Sequence, residues 1–241
     1  MRRSIVVGIS IILLFACNKA VDNVRLKSGS PTPAITTCLP QTEVSKVVQR
    51  LSTSLSDPEF TDVKKILFSD AEKSETCRQQ VITTLMAAMD KPNLDLTHDR
   101  IGYSYWDYGA TLLGELKATE ALDLLIAHLS ATDGLSINMS HYPAVGGVIS
   151  MGPIAIPKLT EALRNNSDRY LRRHAIYCLA SIGGSSAEQA LQYTLPFESD
   201  RCNRELIQAS LEAFKNPRTP NRIVFDPERA KWYAAFDCNG Q

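Results

Sequence analysis

The stretch DRYLRRHAIYCLASIGGSSAEQALQYTL, residues 168–195, decides how the rest of the chain is read. Leu171, Ala175, Ile176, Cys178 and Leu179 recur at the 3.6-residue spacing of a helix face, and Asp168 stands where an N-cap belongs. Gly183 and Gly184 then interrupt the pattern, and Ala187, Leu191 and Leu195 restart it. The spacing predicts a helical hairpin: one helix over about 168–182, a glycine turn, and a second helix over about 186–195.

Working outward, two further glycines fall at comparable places. Leu113-Gly114 and Met151-Gly152 match Ile182-Gly183, and Leu122, Leu159 and Leu191 follow these glycines by 8, 7 and 8 residues. With turns placed at Gly114, Gly152 and Gly183, the periods are 38 and 31 residues, and the extra length falls mostly in a loop over 132–142. A two-helix unit repeating every 30 to 40 residues predicts an all-α fold, a short α-solenoid, because one hairpin cannot bury its apolar face alone. The helix over 143–151 carries Gly146 and Gly147, each weakening it by about 1 kcal/mol relative to Ala, and reads as a degenerate member.

The run from Leu171 through Arg172, Arg173 and Ala175 to Leu179, Ala180 and Gly183 resembles the first helix of HEAT repeats, of the kind also found in phycobilisome lyases. Leu112-Leu113-Gly114-Glu115-Leu116 and Glu120-Ala121-Leu122 resemble the turn and second helix of the same unit. The resemblance covers residues 101–215, with His174, Tyr177 and Cys178 larger than the usual Ala. It implies a curved array whose usual work is to bind another protein. Residues 38–100 read as an N-terminal helical region: helices over 41–56, from Asp57-Pro58 to Phe68, and from Ser69-Asp70 to before Pro92, then a polar loop over 91–102. Residues 199–215 form a further amphipathic helix, and 216–241 a C-terminal capping segment.

The N-terminus carries a different message. Arg2 and Arg3 precede an apolar run from Ile5 to Ala16, too short to span a bilayer comfortably. Leu14-Phe15-Ala16-Cys17 resembles a bacterial lipobox. It implies that residues 1–16 are a lipoprotein signal peptide, that Cys17 is acylated, and that 17–37 form a flexible tether. Asn18 after the Cys leans towards an outer-membrane protein facing the periplasm if the cell is Gram-negative.

Five cysteines then remain for an oxidising compartment, and the expected pairs are Cys38–Cys77 and Cys202–Cys238, with Cys178 buried and reduced. With 26 basic and 26 acidic residues in 241, the chain has no net charge to draw it to nucleic acid. Neither metal-ligand spacing nor a phosphate loop is present, so no metal, no cofactor and no enzyme activity are expected.

Two groups of residues are candidates for partner binding. Tyr103, Tyr105, Trp106 and Tyr108 fall within six residues, and one helix is not expected to bury both Tyr105 and Trp106, so Tyr103 and Trp106 are interface candidates. Arg169, Arg172 and Arg173, with Arg164, Arg201 and Arg204 nearby, suit an acidic partner or a phosphate. His174 and Cys178, one helical turn apart, suggest a thiol–imidazole dyad but fit packing better. The resulting expectation is a membrane-anchored, protein-binding scaffold of the cell envelope. The alternatives are an enzyme or cofactor-maturation factor like the HEAT-like lyases, and a purely structural envelope lipoprotein.

Overall fold

The structure is a computed structural model that describes residues 37–90, 100–131 and 142–215. Residues 36 onward group into one compact unit, and the described part of it is all-helical. The first helices are α1 (Gln41–Gln49), α2 (Asp57–Ala71), α3 (Glu75–Met89) and α4 (Arg100–Glu115). After these come α5 (Leu122–Ala127), α6 (Pro143–Met151) and α7 (Ile156–Asn165), then α8 (Arg169–Ile182), α9 (Gly184–Thr194) and α10 (Arg201–Lys215). Short 3-10 turns lead into α5 and α7 and lead out of α1 and α9.

Local chemistry sets the boundaries. Ser56, rather than Asp57, caps α2: its backbone N–H donates to Glu59 Oε2 at 2.8 Å in a capping box, with Pro58 in the first turn. The expected break at Ser69-Asp70 does not occur. α2 runs on to Ala71 because Asp70 is a buried anchor, accepting the Leu39 N–H at 2.8 Å and the Lys73 ammonium at 2.9 Å. Ser74 caps α3 instead, accepting the Cys77 N–H at 3.2 Å. Residues 100–102, expected in a loop, open α4.

From α4 onward the helices make two rows. α4, α6, α8 and α10 touch in series, α5, α7 and α9 touch in series, and the contacts of α5 with α6, α7 with α8, α8 with α9 and α9 with α10 join the rows. One contiguous apolar core runs through them from Val44 to Ile207. α8, the helix of the opening stretch, buries nearly its whole circumference from His174 to Ala180.

The three glycines differ in role. Gly152 and Gly183 take φ of 70° and 71°, the left-handed conformation that ends α6 and α8. Gly114 is not a turn. It lies inside α4, and the chain leaves that helix two residues after its end, through Lys117 at φ 54°. There the Ala118 N–H reaches the Leu113 carbonyl at 3.0 Å, and the Lys117 ammonium donates to the Ser150 carbonyl. Gly114 instead lets α4 cross α6 closely. A Cβ on Gly114 would lie 2.3 Å from the Gly147 carbonyl oxygen, and one on Gly147 would lie 2.5 Å from that of Ala110. Of the two glycines that made α6 look degenerate, Gly147 is the one that allows its contact with α4, while a Cβ on exposed Gly146 would meet nothing within 4 Å. Gly147→Ala should therefore destabilise the fold by about 1–3 kcal/mol, although Ala is the better helix former. The denaturation midpoint measures this, and a rise in midpoint would contradict the close crossing.

The same crossing explains a second correction. Tyr105 and Trp106 are both buried, at 5% and 2% exposure, because α4 has α3 on one side and α6 on the other. Trp106 Nε1 donates to the Met89 carbonyl at 3.0 Å, and its ring packs on His128 with centroids 4.4 Å apart. Trp106 is thus a core residue and offers no surface to a partner. Tyr103 is half-buried at the start of the same helix.

Cys38 and Cys77 form a disulfide that joins the segment before α1 to α3. Cys202, at the start of α10, is also disulfide-bonded; Cys238, its expected partner, lies outside the described residues. So do Cys17 and the expected signal peptide and tether.

Candidate functional site

The C-terminal ends of α7 and α9 and the N-terminal ends of α8 and α10 meet at one end of the helices, and the sequence shapes that end through four short polar elements. Asn166 Oδ1 accepts the Asp168 N–H at 2.8 Å, turning the chain after α7, and Asp168 Oδ1 caps α8 by accepting the Tyr170 N–H at 2.8 Å. After α9, Pro196 sits in the 3-10 turn Leu195–Phe197, which sets Phe197 into solvent at 74% exposure. Glu198 turns inward, and Asp200 Oδ1 accepts the Asn203 N–H at 2.9 Å to start α10.

Arg172 joins all of these. Its Nε and Nη2 donate to the two carboxylate oxygens of Glu198 at 2.9 and 2.8 Å, and its Nη1 donates to the Asn166 and Ser167 carbonyls at 3.0 and 3.1 Å. The side chains are 12% and 1% exposed, so the pair is a desolvated bidentate tie. Glu198 also accepts the Asp200 N–H at 2.9 Å. Burial pushes the Glu198 carboxyl up, but the hydrogen bonds from Arg172, Asp200 and Asn203 and the guanidinium charge outweigh burial and hold it below the usual carboxylate range. Fully buried Asn203 completes the network, donating to the Arg169 carbonyl at 3.1 Å and accepting from Arg173 Nε at 3.4 Å. Arg172 is therefore spent on the fold, which corrects its reading as a partner-binding residue.

The other arginines are placed differently. Arg169 and Arg173 lie against the ring of Tyr170 at 4.8 and 5.6 Å, and Arg169 Nη2 donates to the Tyr170 hydroxyl at 2.9 Å. Arg164 lies over the ring of Tyr193 at 5.2 Å, and Tyr193 and Phe197 are neighbours at 5.8 Å. Among the described residues, no carboxylate is within ion-pairing distance of Arg164, Arg169 or Arg173.

Beside Arg164 and Tyr193 is a cleft of about 460 Å³. Leu163, Arg164, Tyr193 and Phe197 line it, together with the Arg172–Glu198 pair. Tyr170, Tyr193 and Phe197 are 41%, 54% and 74% exposed, and the fourth exposed large apolar side chain among the described residues, Ile154, lies before α7 at the other end. Sequence reading found the arginines and missed Tyr170, Tyr193 and Phe197. The available signal was Pro196, which stops the helical run and fixes the next residue outside it.

His174 and Cys178 do not make a reactive dyad. Cys178 has no exposed surface, burial pushes its thiol up, and its Sγ points to the Val145 carbonyl at 3.9 Å. His174 packs on Tyr142 with centroids 4.2 Å apart, and its Nδ1 has no hydrogen-bond partner. Burial first, then the nearby Arg173 charge, lower its pKa from 6.5 to about 4, against a smaller opposing pull from Asp168. Between these two values the unfolded chain takes up a proton that the folded chain refuses. The stabilisation is complete above pH 6.5 and is lost as the pH falls to about 4, a difference of about 3 kcal/mol. Urea midpoints at pH 7 and pH 4.5 should show this loss, and His174→Phe should flatten it; an unchanged slope in the variant would place the effect elsewhere.

His98, Asp95, Asp99 and His141 lie outside the described residues, and among the described residues no cluster of His, Cys, Asp or Glu is arranged to hold a metal. No helix among the described residues is long and apolar enough to cross a membrane. Comparison of the chain with protein-family models, curated proteins and solved structures finds no match in any of the three.

Proposed function

We propose that this chain is a lipid-anchored scaffold of the cell envelope that binds a protein partner at the cleft between the ends of α7 and α9. The observation that carries the reading is the gathering of three exposed aromatic rings at one end of the helices, each with a guanidinium laid on it or on its neighbour. A protein in water gains nothing from exposing Phe197 to this degree, and Tyr and Arg beside an apolar side chain are the residue types that dominate binding hot spots. The two rows of helices from α4 to α10, with left-handed glycines at Gly152 and Gly183, support a HEAT-like α-solenoid as the scaffold. The lipobox-like Leu14-Phe15-Ala16-Cys17 supports anchoring at Cys17, with the described helices facing the periplasm if the cell is Gram-negative.

A photo-crosslinking amino acid at Phe197 of the full chain, in the native membrane, tests the binding site. It should yield a discrete protein adduct that the same group at exposed Lys46 on α1 does not. Adducts of equal kind at both positions, or none at Phe197, would overturn the site. Palmitate incorporation that disappears in Cys17→Ala tests the anchor separately.

A further inference from the structure

The cleft also carries the chemistry of what it would hold. The two aromatic groups at this end are arginine-on-ring units: Arg164 over Tyr193, and Arg169 and Arg173 against Tyr170. A guanidinium over a ring keeps N–H groups that fit the two oxygens of a carboxylate; Arg169 gives one of them, on Nη2, to the Tyr170 hydroxyl, and Arg173 gives its Nε–H to Asn203. The carboxylates of this end are already engaged. Glu198 is taken by Arg172, while Asp168 and Asp200 accept the backbone N–H groups that start α8 and α10. Arg201 has its own partner in Glu205 at 2.8 Å. Asp168 and Asp200 keep their negative charge and act on Arg169, but among the described residues no carboxylate forms an ion pair with Arg164, Arg169 or Arg173.

Apolar and cationic features alternate across this end. Leu163, Tyr193 and Phe197 are the apolar part of a lining that also includes Arg164 and polar Asn165 and Thr194, while Arg169 and Arg173 lie outside the lining on α8. The cleft separates the two anionic occupants to be considered. Tyr193 and Phe197 are more than half exposed but also line a cleft that one side chain of an incoming segment can fill, and a flat anionic membrane surface does not supply such a side chain.

We propose that the partner docks through an extended acidic segment, one large apolar side chain entering the cleft against Tyr193 and Phe197 and flanking carboxylates pairing with Arg164 and with Arg169 or Arg173. This rests on the cleft being the binding site. It adds the sign and spacing of the ligand: carboxylates on both sides of a Phe, Leu or Trp.

The test is selection of a random twelve-residue peptide library displayed on phage against the full chain, followed by titration of the recovered peptides. Recovered peptides should carry Asp or Glu flanking a large apolar residue. Arg164→Glu and Arg173→Glu should each weaken them by about tenfold, and Phe197→Ser should do the same without changing the salt dependence. Arg164→Glu and Phe197→Ser should keep the unfolding midpoint of the parent, since both residues are exposed and neither belongs to the Arg172–Glu198 tie, whereas Arg173→Glu also removes the hydrogen bond to buried Asn203 and is titrated only where its own midpoint shows it folded. Peptides with no acidic bias that are still lost in Phe197→Ser would overturn this inference and leave the cleft as a binding site. Peptides insensitive to Phe197→Ser and Arg164→Glu alike would overturn both. Vesicles of phosphatidylglycerol and phosphatidylcholine are the parallel probe. Phe197-dependent binding to the vesicles with none to acidic peptides would assign this end of the helices to the membrane and overturn the proposal.

Discussion

Glu198→Ala should lower the unfolding free energy by about 3–5 kcal/mol, among the largest effects expected of a single substitution in this chain. Most of this comes from what is left behind. Arg172 is only 12% exposed at its side chain and would keep a buried charge with no carboxylate to meet it, and the Asp200 N–H would lose its acceptor. Replacing the pair together, with Arg172→Met and Glu198→Leu, removes the uncompensated charge and should cost less than the single change. Guanidinium denaturation with an unchanged slope measures both. Equal losses in the single and double variants would show that the charge is not the cause. The tie also has a pH signature. Because the Glu198 carboxyl is held below its ordinary value, its contribution is present above the ordinary carboxylate range and is lost as the pH falls through the lowered folded value. That acid limb begins at the low end of the window set by His174 and should shrink in Glu198→Ala. The cleft should suffer as well, since the pair is part of its lining.

The second large effect is expected from the Cys38–Cys77 disulfide, which closes a sequence separation of 39 residues. Loop-closure entropy for a ring of that size corresponds to about 4 kcal/mol, with about 2–4 kcal/mol the usual range. Opening it should release the segment before α1 first, but not freely. The Leu39 N–H is held by Asp70, the Leu39 carbonyl accepts from Gln80 at 2.9 Å, and Lys73 donates to the Thr37 carbonyl at 3.3 Å. These contacts keep the geometry while the constraint on the unfolded chain disappears. Cys38→Ala with Cys77→Ala should therefore show a lower denaturation midpoint with little change in far-UV circular dichroism. An unchanged midpoint relative to the oxidised parent would mean that the bridge contributes nothing to stability.

Most helices, and the left-handed turns at Gly152 and Gly183, could be read from the sequence, because apolar spacing and glycine at a helix end are local signals. Gly114 shows where such reading stops. A glycine can end a helix or let two helices touch, and only the position of Gly147 and Ala110 across the crossing tells which. The burial of both Tyr105 and Trp106 fails to show for the same reason: it depends on how many helices surround α4, which no spacing within α4 encodes. At the site, the arginines were visible as a charge cluster. Their division into a structural tie at Arg172 and, among the described residues, guanidinium groups with no carboxylate partner at Arg164, Arg169 and Arg173 was not. That division depends on Glu198, which is 26 residues away in sequence and reaches Arg172 only because α9 folds back on α8.

The order in which the helices touch has a kinetic consequence. From α4 onward nearly every strong contact joins a helix to its successor or to the next but one. A chain built this way can dock each new helix onto one already made, without waiting for its last segment. Low sequence separation between partners corresponds to folding in microseconds to milliseconds rather than seconds. The region should fold in stages along its length while it is still emerging, with α8, touching neighbours in both rows, as the step at which the growing array becomes hard to reverse.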